Sequence, residues 1–306
     1  MIDLNSRTYL ILFLFFTPLI AFNQANSTYT LKILGVVQDG GLPHLGSDRI
    51  CCEDFERKRY VTSVMLINNK NNESYLFDAS PDINKQLNFM GKGIKNNLKG
   101  IFLTHAHIGH YTGLMYFGRE ALNSKLMNVY AMPRMKKFLE QNGPWSQLVS
   151  LENISIIELN NNSNIIIDSN VNVQPIEVPH RAEFSETVGY KIYGPNKTAL
   201  FIPDIDKWYL WEKSIIDEIK QVDYALIDAT FYDSNEVNYR DISEIPHPFV
   251  VESMGLFNSI KEEEKNKIFF IHLNHTNPLL NNQSDQYKFV TGKGYNVAKE
   301  GMKLDL

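Results

Sequence analysis

Cysteine is nearly absent from the 306-residue chain: there are two, Cys51 and Cys52, and they are adjacent. A disulfide-stapled scaffold and any four-cysteine zinc or iron–sulfur site are therefore excluded. An excess of basic charge is also missing. Lys and Arg number 30 against 35 Asp and Glu, for a net charge of −5, and the basic residues are scattered. A protein that grips nucleic acid through a basic face is not expected. No apolar run approaches the ~20 residues that a membrane-spanning helix needs. Neither a tandem repeat nor a linker long enough to separate a pair of domains is present. What remains is 43% hydrophobic and 12% aromatic residues, enough to bury a sizeable core. Any metal centre must be built mainly from the eight histidines and from carboxylates.

The N-terminus reads separately. A polar start containing Arg7 is followed by YLILFLFFTPLIAF, Tyr9 to Phe22, and then by the polar NQANS. A charged start, a short apolar run and a small-residue exit predict a secretory signal over about 1–25, with cleavage within 21–27. A buried N-terminal helix is the alternative, although the run shows no amphipathic pattern. The expectation is a mature single domain over 28–306, periplasmic or secreted and without a membrane span.

Short β-branched runs bounded by turn residues predict strands at Tyr29–Gly35, Ser63–Asn68, Ser74–Asp78, Gly100–Thr104 and Asn128–Ala131. A second series is predicted at Ser155–Leu159, Ile165–Asp168, Val171–Val178, Val188–Tyr193, Ala199–Ile202, Tyr224–Asp228 and Lys267–His272. Helices are expected at Asp82–Met90, His110–Leu122, Pro133–Gln141, Lys207–Lys220 and about Pro248–Ile260. Strands first, then strand–helix alternation, in each half: this is an α/β pattern with mixed sheets and outer helices.

The strongest chemical signal is THAHIGH, Thr104 to His110. His105 and His107, two apart at a strand end, share a side, and His110 in the following turn can converge on the same point. Neutral imidazole is the commonest protein ligand for zinc and similar ions. The alternative is a solvated polar loop.

With these residues in view, the chain resembles the metallo-β-lactamase fold superfamily, whose hallmark is H-x-H-x-D-H after a strand. Gly109 stands where that family carries aspartate. Further pieces match in chain order: Asp78 in FDAS, His180 in VPHR, Asp204 in IPDID and His272 in FFIHLNH. The resemblance is nearest to the family of coenzyme PQQ synthesis protein B, through LGVVQDGGLPH, IDATF, IHLNHTNPLL and the ending GMKLDL. It extends to phosphodiesterase members such as ribonuclease Z, through Asp228 in DATF and His247 in IPHPF.

The resemblance implies a four-layer αββα sandwich of two mixed sheets. One metal site would comprise His105, His107, His180 and Asp204. The other would comprise His110, Asp204 and His272, one ligand short at Gly109, so one ion or two remain open. Asp78 would orient a ligand histidine, and His44 and His275 are either surface residues or compensating ligands. Asp228 would hold His247 as a proton donor to the leaving group, unless the two merely cap their turns. Zinc is the expected metal, with iron as the alternative.

The implied activity is metal-dependent hydrolysis of an ester, lactone, amide or phosphodiester in a small-molecule substrate, by a metal-held hydroxide. The alternatives are non-haem iron redox chemistry and a metal-binding relative without turnover. Cys51 and Cys52 have three readings: a vicinal disulfide, extra ligands, or plain loop thiols. The aromatic run WYLW at 208–211 either packs on a sheet or walls the cleft. The oligomeric state is left open.

Overall fold

Continuous apolar runs such as GIFL and ALFI have no polar face, so both sides of each strand must be covered. A computed structural model describes residues 28–48, 58–237, 241 and 244–306, and shows how. The expected export segment and the cysteine pair lie outside the described residues. The strands are β1 (Tyr29–Gly35), β2 (Ser63–Asn68), β3 (Ser74–Phe77), β4 (Leu98–Phe102), β5 (Met127–Ala131), β6 (Ile154–Glu158) and β7 (Ile165–Asp168). They continue with β8 (Val171–Glu177), β9 (Val188–Tyr193), β10 (Thr198–Ile202), β11 (Tyr224–Asp228), β12 (Ile268–Ile271), β13 (Asn296–Val297) and β14 (Lys303–Asp305).

They form two seven-stranded sheets, ordered β14-β1-β2-β3-β4-β5-β6 and β13-β12-β11-β10-β9-β8-β7. Each sheet is antiparallel in one half and parallel in the other. In the first, β1, β2 and β3 pair antiparallel, and β3 through β6 pair parallel. In the second, β7 through β10 pair antiparallel, and β10 through β13 pair parallel.

Alternation along each strand sorts the core into three seams. Phe77, Phe102, Tyr190, Phe201, Leu226 and Ile271 meet between the sheets. Their strand neighbours Leu76 and Ile101 face the helices Pro133–Gln141 and Trp145–Ser150 through Met135, Leu139 and Leu148. On the far side Leu200, Ile227 and Phe270 face Ile215, Ile219, Val250 and Met254. The order is helix, sheet, sheet, helix: the four-layer αββα architecture.

Helix boundaries depart from expectation where the backbone has other partners. The helix expected over His110–Leu122 is one α-turn, Ile108–Tyr111, followed by a 3₁₀ segment, Thr112–Phe117. Here Ala79 N donates to His110 O at 2.8 Å and Gly113 N donates to Ala79 O at 2.9 Å, so the segment is bonded to the end of β3. Gly113 permits that approach, since a Cβ there would stand 2.2 Å from the Ser80 carbonyl oxygen. Likewise Lys207–Lys220 divides into a 3₁₀ turn, Trp208–Leu210, and a helix, Ile215–Lys220. The short strands β13 and β14 and the helices Trp145–Ser150 and Asp285–Gly292 carry too few periodic apolar residues to be visible in the sequence.

Candidate metal centre

The carboxyl ends of the parallel strands of both sheets open onto one edge of the sandwich, the usual place for a site in α/β sheets. Asp78 follows β3, His105 to His110 follow β4, Asp204 follows β10, Asp228 ends β11 and His272 follows β12.

Three donor groups assemble there among the described residues, one of them being Asp204, Asp228 and His247. The first is His105, His107, His180 and Asp204, the set expected. His105 Nε2 lies 2.8 Å from His107 Nδ1, and His180 Nε2 lies 3.4 Å from that same Nδ1. Asp204 Oδ2 is 3.4 Å from His105 Nε2 and 3.3 Å from His180 Nε2. Four ligands around one zinc at ~2.05 Å stand roughly 3.3 Å apart, so three of these four separations already match a filled tetrahedron.

The second group corrects the sequence reading. It is not short of a carboxylate at Gly109, because Asp39 from the loop after β1 joins His110 and His272. Asp39 Oδ1 lies 3.3 Å from His110 Nε2 and accepts a hydrogen bond from Gly109 N at 3.1 Å. Asp204 Oδ2 lies 4.0 Å from His110 Nε2 and 3.9 Å from His272 Nε2, between the two groups. The Nε2 atoms of His110 and His272 are buried without a hydrogen-bond partner. Buried polar atoms without partners are costly, and nitrogen atoms left so beside two carboxylates fit a bound cation. The donor set is all nitrogen and oxygen, which suits zinc or iron.

The residues around these donors set which ring nitrogen is offered. Asp78 accepts from Thr104 N at 2.8 Å, from Thr104 Oγ1 at 3.0 Å and from His110 Nδ1 at 2.7 Å, which leaves His110 Nε2 to the site. Asp206, not singled out in the sequence, accepts from His180 Nδ1 at 2.9 Å. Thr230 Oγ1 lies 3.0 Å from His272 Nδ1. Such partners fix tautomer and ring orientation at metal sites.

Asp228 is wholly committed to positioning. Its Oδ1 accepts from Thr230 N and Oγ1 at 2.8 and 2.7 Å, and its Oδ2 accepts from Ile205 N at 3.1 Å and His247 Nδ1 at 2.8 Å. His247 Nδ1 is also 3.1 Å from Asp204 Oδ1. The ring helps to line a cavity of about 250 Å³ shared with Asp39, His107, His180, Asp204 and Phe231.

His44 and His275 join none of the three donor groups: they stack on each other, with ring centroids 4.2 Å apart, and Ser47 Oγ lies 3.1 Å from His275 Nε2. The run WYLW packs on the sheet, as expected, through its two tryptophans. Trp208 and Trp211 are buried against the sheet, while Tyr209 and Leu210 line a separate cavity of about 770 Å³. That cavity shares Ile245 and Pro246 with the smaller one.

Charge is divided within the cluster. Burial holds His105, His107 and His272 below the usual imidazole value, so they are neutral donors. Burial also acts against charge on His110, His180 and His247, but adjacent carboxylates prevail. Asp78 and Asp39 raise His110 well above its usual value, and Asp228 and Asp204 do the same for His247. His180 is raised to about 9 by Asp204 and Asp206. Burial pushes the Asp39 and Asp204 carboxyls up, yet the facing histidines carry both below the usual carboxylate range.

Known proteins share this fold. The family described as beta-lactamase superfamily domain matches residues 73–273. Coenzyme PQQ synthesis protein B of Klebsiella pneumoniae is 22% identical over 308 residues, covering 90% of this chain and 98% of its own length. The zinc-bound PqqB structure from Methylobacterium extorquens superposes with a TM-score of 0.74 at 21% identity, covering 90% of this chain and all of its own. A diphosphatase of the PhnP family superposes with a TM-score of 0.61 at 21% identity, covering 90% of this chain and 96% of that one. With two mixed sheets between helices and a histidine–aspartate cluster at the strand ends, the chain belongs to the β-lactamase superfamily and carries its metallo-β-lactamase fold.

Proposed function

We propose that the chain is an exported metal-dependent hydrolase that cleaves an ester, lactone, amide or phosphodiester in a small molecule. The observation that carries this reading is the placement of His247 beside the donor groups. Its Nδ1 is held by Asp228 at 2.8 Å, it keeps its proton because of Asp228 and Asp204, and it lines the cavity with His107 and His180. Nε2 remains as the ring's other N–H, available to a leaving group.

His105, His107, His180 and Asp204 would hold one ion, and His110, His272 and Asp204 a second. A bound divalent metal supplies Lewis acidity and an activated water at neutral pH. The protein's own contribution is to fix the donors through Asp78, Asp206 and Thr230, to orient the bond to be cleaved, and to protonate the departing group from His247. The 250 Å³ cavity is of a size for a small molecule. Export rests on the N-terminal apolar run. Among the described residues no helix is long and apolar enough to cross a membrane.

General acid catalysis contributes typically ~10²–10⁴-fold. His247→Ala should keep full metal content and lose rate of that order on substrates with poor leaving groups. On nitrophenyl esters, whose leaving group needs no proton, it should lose far less. Equal losses on both substrate types, or loss of metal, would remove the donor role.

Iron-based redox chemistry is the second reading. Its support is the all-nitrogen-and-oxygen donor set and the likeness to PQQ synthesis protein B. Metal analysis of protein purified without added metal separates the two: zinc favours hydrolysis, and iron favours oxidation.

A further inference from the structure

We infer that Asp39 is the carboxylate ligand of the second metal, and that Gly109 is glycine because Asp39 occupies the space a side chain there would need. This rests on the two-metal reading above and adds to it an exchange of a ligand between two loops that are 70 residues apart in sequence.

The space is the first argument. A Cβ built on Gly109 would lie 2.1 Å from Asp39 Oδ1, 3.0 Å from its Cγ and 2.8 Å from its Cα. The last of these is backbone, so turning the Asp39 side chain away would not make room. Any side chain at position 109 therefore competes with Asp39 itself.

The second argument is direction. Gly109 N donates to Asp39 Oδ1, and the same oxygen faces His110 Nε2 at 3.3 Å. The amide that would otherwise have been followed by a carboxylate-bearing Cβ instead orients a carboxylate arriving from outside.

The third argument is rigidity. Asp39 sits on a segment pinned on both sides. Gln38 N donates to Leu273 O at 2.9 Å, Leu273 N to Val36 O at 2.8 Å, and Thr62 N to Val37 O at 2.8 Å. Leu273 directly follows His272, so one backbone ladder fixes Asp39 relative to another member of its group. Gly41, with φ +70°, turns the chain back immediately afterwards, and its N–H closes on Gln38 O at 2.8 Å. A carboxylate held this firmly next to two buried imidazole nitrogens without partners is placed as a ligand.

The test counts zinc retained by the full chain at a series of buffered free-zinc concentrations. Wild type should hold two equivalents. Asp39→Asn and Asp39→Ala should keep the first and bind the second on the order of 100-fold more weakly, at least the loss seen when a ligand's supporting partner is removed. Gly109→Ala removes no donor atom, yet it should produce the same selective loss because its methyl group displaces Asp39. Retention of the first equivalent in each variant is the internal check that the fold survives.

Two equivalents at wild-type affinity in Asp39→Ala, or in Gly109→Ala, would overturn the ligand assignment and leave the two-metal reading standing. A wild type that holds one equivalent or none would overturn both.

Discussion

Three histidines in the cluster have Nδ1 committed to a carboxylate: His110 to Asp78, His180 to Asp206 and His247 to Asp228. The carboxylate gives each ring a fixed tautomer and, without metal, a tightly held proton. A metal must displace the proton from any of them that it ligates. His180, raised to about 9, is protonated below that pH. Apparent zinc affinity should therefore rise by about tenfold per pH unit up to ~9 for this proton alone. A pH-stat titration should show protons released on zinc addition at pH 7, and their absence would disprove the assignment. His107 offers Nδ1 between His105 and His180, so His107→Ala should strip most metal from the first group, as measured by dialysis and metal analysis. Asp78→Asn keeps the shape but loses the charge that holds His110, and should weaken the second group by about 10–100-fold.

At the scale of elements, the site depends on loops that leave strand ends and are tied to each other. The turn Ser234–Val237 is fastened to the loop after β12 by Glu236, which accepts from Tyr232 N at 2.7 Å and Thr276 Oγ1 at 2.5 Å. Burial raises the Glu236 carboxyl to about 7 despite these donors. In the unfolded chain the proton leaves near 4.5, the group's ordinary value. Between those values the folded state binds more protons than the unfolded one, so stability falls as pH rises from ~4.5 through ~7. The full effect is on the order of 3 kcal/mol as an upper bound. Glu236→Gln should flatten this slope, raising the melting temperature at pH 8 and changing little at pH 4.5. If both proteins show the same pH profile, Glu236 is not the titrating group. Elsewhere the helix Asp285–Gly292 starts on Ser284, whose side chain accepts from Tyr287 N at 3.0 Å. Ser284→Ala should cost about 1 kcal/mol in denaturant unfolding.

Over the whole molecule, the donors come from both sheets: His105, His107 and His110 follow β4 of one, while His180, Asp204 and His272 follow β8, β10 and β12 of the other. Metal would cross-link the open edge of a sandwich already joined by its central apolar seam. Zinc at 100 times its dissociation constant adds ~2.7 kcal/mol per independent site, so saturation should raise the melting temperature by several degrees and a chelator should reverse it. An unchanged melting temperature would argue against metal binding to the folded state. The seam reaches the site directly. Phe102 stacks on Phe77 and Tyr130, with centroids 5.0 and 4.2 Å away, two residues before Thr104. Phe102→Ala should cost about 3–5 kcal/mol and loosen the histidine loop with it.

The sequence by itself determined the strands β1 to β12, because runs like GIFL and ALFI can be buried only within a layered sheet, but not the short edge strands β13 and β14. The THAHIGH pattern by itself pointed to His105, His107 and His110 as candidate ligands, and the resemblance to the family added His180, Asp204 and His272, which the fold brings to the same edge. The alternation that separates Phe102 from Ile101 is likewise local, and it already implied two covered faces. Only the tertiary structure decided what completes the second donor group. Asp39 has no pattern of its own; it is one aspartate before two glycines, and nothing in its neighbours points to His110. Its role exists because Val36 to Gln38 pair with Leu273 and Thr62, contacts between distant segments that no window of sequence contains. Gly109 read as a missing ligand for the same reason. Along the chain it shows only the absence of a carboxylate, and in three dimensions it is the space into which another one fits.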